Sequence, residues 1–140
     1  MEISGKDIWI VSSDAQLPIL MERLLGGKHH NIKKFTSSGA AIEALSETRP
    51  DLIITDIVIN GVENAGMTVF KKAKTAGVKT IIQSSGDDIS KPMMLEAKKL
   101  GAVFIKIPYM DNEHFINTFK NSLAQSIGAE RISSNGKFRM

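Results

Sequence analysis

The sequence predicts an α/β fold in which helices cover both faces of a parallel sheet. Five apolar runs have the length and composition of buried strands, and segments with helical periodicity separate them. The runs are residues 8–11, 32–35, 52–55, 80–82 and 103–107. Strands that alternate with helices form parallel sheets, because each helix returns the chain to the edge where the next strand begins.

The first strand is predicted at residues 8–11 and is followed by the best-defined helical pattern of the chain. Its apolar side chains recur at intervals of three and four residues, which places them on one stripe of a helix. The stripe consists of Leu17, Leu20, Met21, Leu24 and Leu25. Two glycines, Gly26 and Gly27, then end this first helix.

The second strand, residues 32–35, contains Lys33 and Lys34 and is therefore predicted at an edge of the sheet. The second helix is marked by Ala41, Ile42 and Leu45 and ends before a proline. After the third strand, residues 52–55, a third helix is predicted to end at Gly77. Its apolar stripe is Met67, Phe70 and Ala73.

The fourth strand, residues 80–82, leads to a fourth helix that we expect to run from about Ser90 to Gly101, with Pro92 in its first turn. The fifth strand, residues 103–107, leads to the last helix. The apolar stripe of that helix is Phe115, Ile116, Phe119, Leu123 and Ile127. Residues 128–140 lack periodicity, and we expect them to form a mobile tail or a partner-binding extension after one domain of residues 6–127.

Composition excludes several classes of function. The chain has no cysteine, no apolar stretch long enough to cross a membrane and no signal peptide at its start, so we expect a cytoplasmic protein. The net charge is +3, but much of it lies in the tail, with Arg131, Lys137 and Arg139 against Glu130. A nearly neutral body argues against a nucleic-acid partner.

Asp56 is the most informative residue, because it directly follows the apolar run of the third strand. Open α/β sheets bind their ligands at the carboxyl ends of the strands, so its carboxylate is predicted to face a ligand site. Carboxylates act as nucleophiles in phosphoryl transfer when a cation and fixed donors neutralise the charge that develops. Magnesium in such a site usually has one or two protein carboxylates as ligands.

The segment Asp-Leu-Ile-Ile-Thr-Asp-Ile-Val-Ile-Asn-Gly, residues 51–61, resembles the phosphoacceptor strand and loop of the receiver domains of two-component response regulators. The resemblance extends over about residues 6–127. It implies a doubly wound, flavodoxin-like sheet with strand order 2-1-3-4-5, and it identifies Asp56 as the phosphoacceptor and Ser84 as the switch hydroxyl. It also implies a histidine kinase or a downstream signalling protein as partner, bound through the face of the fourth helix, fifth strand and fifth helix.

The chain departs from that family after its first strand. Receivers place two acidic residues there to bind magnesium, whereas this chain has Ser12 and Ser13. A remaining site would consist of Asp14, Asp56 and the backbone at Val58, and we expect it to bind magnesium weakly if it binds at all. Ser13 has a second interpretation, because Ser-Asp-Ala-Gln, residues 13–16, matches a capping box for the first helix.

A second departure lies near the fifth strand, where receivers carry a lysine before a proline. Alignment on Pro108 puts Ile107 at the lysine position and Phe104 at that of the switch aromatic residue, whereas alignment on Lys106 preserves the lysine. Adjacent strand residues face opposite sides, so only one alignment points Lys106 towards Asp56. The proline alignment is favoured, and Lys106 remains the other candidate for the phosphate-binding lysine.

Three functional hypotheses follow from these residues. The first is a single-domain receiver-like signalling protein, monomeric or weakly dimeric and without enzymatic activity, that acts through protein contacts with a degenerate metal site. The second is an orthodox response regulator phosphorylated on Asp56 by a histidine kinase. The third is a small-molecule binder on a flavodoxin-like sheet, which is disfavoured because residues 12–16 contain no glycine and carry an acid.

Overall fold

The computed structural model describes residues 5–13, 30–106, 113, 117–118 and 120–122. Within these residues five strands and three complete helices alternate in the predicted manner. The strands are β1 (Asp7–Val11), β2 (Asn31–Phe35), β3 (Leu52–Asp56), β4 (Lys79–Ser84) and β5 (Val103–Lys106). The helices are α1 (Ser38–Leu45), α2 (Ala65–Thr75) and α3 (Lys91–Lys99), which are the second, third and fourth helices of the sequence-based prediction.

The strands form one parallel sheet in the order β2-β1-β3-β4-β5, which confirms the predicted topology. β2 lies at an edge, and its Lys33 and Lys34 are exposed, as their charge predicts. In the centre, Val11 of β1 pairs with Thr55 of β3, and Asp56 of β3 pairs with Gln83 of β4. Three strands therefore end at the same edge, directly around Asp56.

β3 lies at the centre of the sheet and is buried on both faces. Leu52, Ile53 and Ile54 are completely inaccessible to solvent. Burial of such a side chain contributes roughly 1.5–3 kcal/mol, so this run of apolar residues stabilises the centre of the sheet. β3 ends where the chain becomes polar, and Asp56 is already partly accessible.

Local sequence signals explain where α1 and α3 begin. The hydroxyl of Ser37 accepts a hydrogen bond of 3.2 Å from the backbone of Ala40 at the start of α1. In the same way Ser90 accepts one of 3.3 Å from Met93, and Pro92 lies in the first turn of α3. The predicted start of the fourth helix at Ser90 is thereby confirmed.

Several predictions concern residues outside the described part of the chain. These are the first helix, residues 14–16 of its capping box with Asp14, Ile107, Pro108, the entire apolar stripe of the last helix, and the tail of residues 128–140. The described positions 113, 117–118 and 120–122 are helical, as expected for the last helix. Among the described helices, none has the length and apolar character needed to span a membrane.

Candidate functional site

Asp56 and Ser12 lie side by side at the carboxyl edge of the sheet. The Ser12 hydroxyl donates a hydrogen bond of 2.6 Å to Asp56 Oδ2, and Ser12 is 3% exposed. The two residues are 44 positions apart in sequence, and the pairing of β1 with β3 brings them together. A short hydrogen bond to a carboxylate is stronger than one between neutral groups. Ser12 therefore neutralises part of the Asp56 charge from within the protein.

A second neutral donor, Gln83, lies on the other side of the Asp56 carboxylate. Gln83 is completely buried, and its Nε2 donates a hydrogen bond of 3.1 Å to Asp56 Oδ1. Gln83 was not among the site residues predicted from the sequence. A signal was present, because Gln83 continues the buried apolar strand 80–82 and a buried amide requires a partner. Without the strand register, however, that partner was not identifiable.

Ser13 connects two loops next to this network. Its hydroxyl accepts a hydrogen bond of 3.0 Å from the backbone N–H of Asn60, which lies in the loop after β3. Asn60 and Gly61 both have positive φ, and a bridge between Ile59 and Val62 closes this tight turn. Ser13 thus ties the loop after β1 to the loop after β3 through a direct hydrogen bond.

The start of α2 fits closely against the backbone of Asp56. The Gly66 N–H donates a hydrogen bond of 2.9 Å to the carbonyl of Ile57, and a methyl group at Gly66 would overlap the carbonyl oxygen of Asp56. Glycine is needed here for close approach and not for an unusual φ. This contact fixes the backbone that carries the Asp56 carboxylate.

Ser84, the predicted switch hydroxyl, is the last residue of β4 and lies next to Gln83 in the chain. Its hydroxyl makes no hydrogen bond to Asp56 in this structure; it donates one of 2.6 Å to Asp88 Oδ1. The backbone N–H of Gly86 in turn donates one of 3.0 Å to the Ser84 hydroxyl. Ser84 is therefore held within its own loop.

The predicted residues of β5 lie farther along the same sheet. Phe104 is half-buried and packs against an apolar cluster that includes Ile82 and Met67, while Lys98 Nζ lies 5.8 Å from its ring centroid. Lys106 is the last residue of β5 and pairs with Ser84 in the strand register. The choice between Lys106 and Ile107 for the lysine position remains open, because Ile107 lies outside the described residues.

The described donors around Asp56 include few of the ligands that magnesium prefers. Among the described residues, no three acidic or histidine side chains lie close enough together to hold a metal ion. The Ser12 hydroxyl is directed at Asp56, and the Ser13 hydroxyl accepts from Asn60. Magnesium prefers carboxylates, phosphate and water as ligands. Within the described residues this network provides magnesium with one carboxylate ligand, that of Asp56. Val58, whose backbone is another predicted ligand, is exposed.

Comparisons with solved structures agree with this fold. The receiver domain protein (CheY-like) from Methanospirillum hungatei superposes with a TM-score of 0.76 at 19% identity, and the match covers 90% of this chain and 99% of that one. The signal receiver domain of an HD domain-containing protein from Pseudomonas fluorescens gives 0.75 at 14% identity, over 94% of this chain and 96% of that one. This chain has the fold of response-regulator receiver domains.

Two longer proteins match over a part of their length. NtrX from Brucella abortus has a TM-score of 0.76 at 20% identity, over 92% of this chain and 29% of that one. The transcriptional regulator NtrC of Escherichia coli K12 is 24% identical over 82 residues, which is 59% of this chain and 18% of NtrC. The chain thus spans only a fraction of these relatives. No protein-family model matches it.

Proposed function

We propose that the chain is a receiver-type signalling domain in which Asp56 is held by neutral hydrogen-bond donors, so that strong magnesium binding is lost and signalling proceeds through protein contacts. The single observation that carries this proposal is the hydrogen bonding of both carboxylate oxygens, by Ser12 and by Gln83. A carboxylate that accepts such bonds is stabilised without a metal ion. The function does not require catalysis by this chain.

The energetic argument concerns the transition state of phosphoryl transfer. A divalent ion there neutralises the phosphoryl oxygens, and loss of one preorganised electrostatic contact costs about 3 kcal/mol, or roughly 10²- to 10³-fold in rate. Hydroxyls at Ser12 and Ser13 replace the acids that hold this ion in receivers. We therefore expect Asp56 to accept a phosphoryl group slowly.

The test is incubation of the purified chain with Mg²⁺ and acetyl phosphate, followed by intact mass spectrometry over time. We expect little adduct on the wild-type chain and faster modification of the double variant Ser12→Asp/Ser13→Asp, which supplies the missing carboxylates. Asp56→Asn in the double-variant background is the control for the position of the adduct. A rapid, stoichiometric adduct on the wild-type chain that disappears in Asp56→Asn would support the orthodox response regulator instead.

The surface proposed for protein contacts is the face of α3, β5 and the helix that follows β5. It is supported by Leu95, which is 56% exposed, and by Leu100, which is 38% exposed. Exposed apolar side chains of this kind occur at protein interfaces, although single ones are ordinary. Lys98 and Phe104 form a cation–π contact on the same side.

Leu95→Asp tests this face. We expect an unchanged melting temperature, because the side chain of Leu95 is already exposed. We also expect the variant chain to associate more weakly with a second copy of the chain or with a histidine kinase domain, as measured by sedimentation velocity. Val62→Asp is the matched control, since Val62 is 54% exposed in the loop after β3. Equal effects of the two substitutions on association would contradict the choice of face.

A further inference from the structure

Asn60 and Gly61 form the tip of an exposed turn in the loop after β3. Both residues have positive φ, 57° and 77°, which is the combination that Asn-Gly adopts in type I′ turns. The flanking residues Ile59 and Val62 close the turn through two backbone hydrogen bonds of 2.9 Å and 3.3 Å. The turn therefore presents to solvent an asparagine that is followed directly by glycine.

An asparagine in this position can react with its own backbone. The Gly61 nitrogen gives up its proton to hydroxide and attacks Asn60 Cγ, the bond between Cγ and Nδ2 breaks, and Nδ2 leaves as ammonia after taking a proton from water. Water then opens the resulting five-membered succinimide at one of its two carbonyls, which gives aspartate or isoaspartate. Glycine hinders this attack least, because it has no side chain next to the attacking nitrogen.

The surroundings of Gly61 leave its nitrogen accessible. Asn60 and Gly61 are both exposed, and among the described residues the Gly61 N–H donates no hydrogen bond. A methyl group at Gly61 would meet no atom within 4 Å. Water and hydroxide therefore reach the nitrogen, and no hydrogen bond of this N–H to a described residue has to break before it attacks.

The conformation of Asn60 opposes the attack as long as the turn is closed. A left-handed residue has a ψ of about +47°, which directs the nitrogen of the next residue away from its own side chain. Ring closure therefore requires rotation about the Cα–C bond of Asn60, and this rotation opens the turn. Together with the two hydrogen bonds of the bridge, Ser13 holds the turn closed, because its hydroxyl accepts a hydrogen bond of 3.0 Å from the Asn60 N–H.

We propose that Asn60–Gly61 is a site of spontaneous deamidation and that the Ser13 hydroxyl slows the reaction by holding the turn closed. This inference goes beyond the proposed function and does not depend on it. Isoaspartate inserts one additional carbon atom into the backbone of the turn, so the bridge that closes the turn loses its spacing. The modification thereby releases the loop after β3 from the loop after β1.

The test is incubation of the full chain at mildly alkaline pH for several weeks, followed by peptide mapping with liquid chromatography and tandem mass spectrometry. The fraction of Asn60 converted to aspartate and isoaspartate over time gives the rate. Asn135–Gly136, the other Asn-Gly pair of the chain, is an internal reference in the same sample. Loss of one neutral hydrogen bond in Ser13→Ala should accelerate the reaction of Asn60 by roughly 2- to 10-fold and leave the rate at Asn135 unchanged.

Ser37→Ala is the matched control. Ser37 also accepts a hydrogen bond from a backbone N–H, that of Ala40, but it does so at the start of α1. We expect Asn60 to react at the wild-type rate in this variant. Equal acceleration in Ser37→Ala and Ser13→Ala would show that a general loss of stability controls the reaction and would overturn the role of Ser13.

Unfolding in urea removes the turn altogether and gives the upper limit of the rate. Asn60 of the unfolded wild-type chain should react faster than Asn60 of the folded chain, with folded Ser13→Ala between the two. The inference is wrong if Asn60 stays unmodified in folded Ser13→Ala, or if Asn60 reacts at the same rate with and without the Ser13 hydroxyl.

Discussion

The hydroxyl of Ser12 lies 2.6 Å from Asp56 Oδ2, where it donates a hydrogen bond to a partly buried carboxylate. Ser12 is a hydrogen-bond donor and attracts the carboxylate, whereas an acidic side chain at this position would repel it. A divalent ion at this place has to compete with a hydrogen bond that the folded chain already makes. Four experiments test the consequences of this relationship and of the packing around it.

Ser12→Asp replaces the donor with a second anion next to Asp56. Two carboxylates in contact repel each other, so we expect a lower melting temperature in EDTA than for the wild-type chain. Magnesium should then stabilise the variant, by about 1.4 kcal/mol at a concentration tenfold above its Kd. Thermal melts with and without Mg²⁺ measure both the lower melting temperature in EDTA and the stabilisation by Mg²⁺. Thr48→Asp adds the same charge at an exposed site, and a similar response to Mg²⁺ in that control would contradict a specific site.

Gln83→Met removes the amide donor but keeps a side chain of similar length in the buried site. We expect a decrease in the free energy of unfolding of about 2 kcal/mol, because a hydrogen bond to a charged group is lost. In the Asp56→Ala background the same substitution should lower the free energy of unfolding by a smaller amount. Urea unfolding of the four chains gives the coupling energy between the two residues. A coupling energy near zero would show that the hydrogen bond contributes nothing to stability.

Thr80→Val is expected to stabilise the protein. Thr80 is 1% exposed, and its hydroxyl has no hydrogen-bond partner among the described residues. Replacement of an unsatisfied buried hydroxyl by a methyl group of similar size should raise the free energy of unfolding by about 1 kcal/mol. Thr55→Val is the matched control, because the Thr55 hydroxyl donates to the Asp56 carbonyl at 3.0 Å. Urea denaturation should show opposite signs for the two substitutions.

Gly66→Ala and Gly39→Ala separate helix propensity from close packing. Both glycines lie in the first turn of a helix, and alanine there gains up to about 1 kcal/mol of helix propensity. A methyl group at Gly39 meets no atom, whereas at Gly66 it overlaps the backbone of Asp56. We expect Gly39→Ala to raise the melting temperature and Gly66→Ala to lower stability by about 1–3 kcal/mol. Stabilisation by Gly66→Ala would show that α2 moves away from Asp56 at little cost.

The elements that could be predicted are those whose signals are local. The start of the fourth helix was predicted from Ser90 and Pro92, which act within one turn of the chain. The edge position of β2 was predicted from Lys33 and Lys34, whose charges are tolerated where one side of a strand faces water. The strand order rested on the receiver resemblance, and the structure confirms it.

The hydrogen bonds of the candidate site were not predictable in the same way. Ser13 and Asn60 are 47 positions apart, and Gln83 and Asp56 are 27 positions apart. Such contacts depend on the register between strands, which the periodicity of a single strand does not specify. The hydrogen bond between Ser84 and Asp88 joins residues only 4 positions apart, but it depends on the path of the loop after β4.

The sequence by itself determined the alternation of strands and helices and the position of Asp56 at the end of a buried strand, because burial and periodicity are properties of neighbouring residues. Only the tertiary structure decided which groups the polar side chains contact. Ser12 and Gln83 converge on Asp56, while Ser84 donates to Asp88. The physical reason is that a hydrogen bond requires its two atoms to lie about 3 Å apart, and strand pairing and loop paths bring distant residues to that distance.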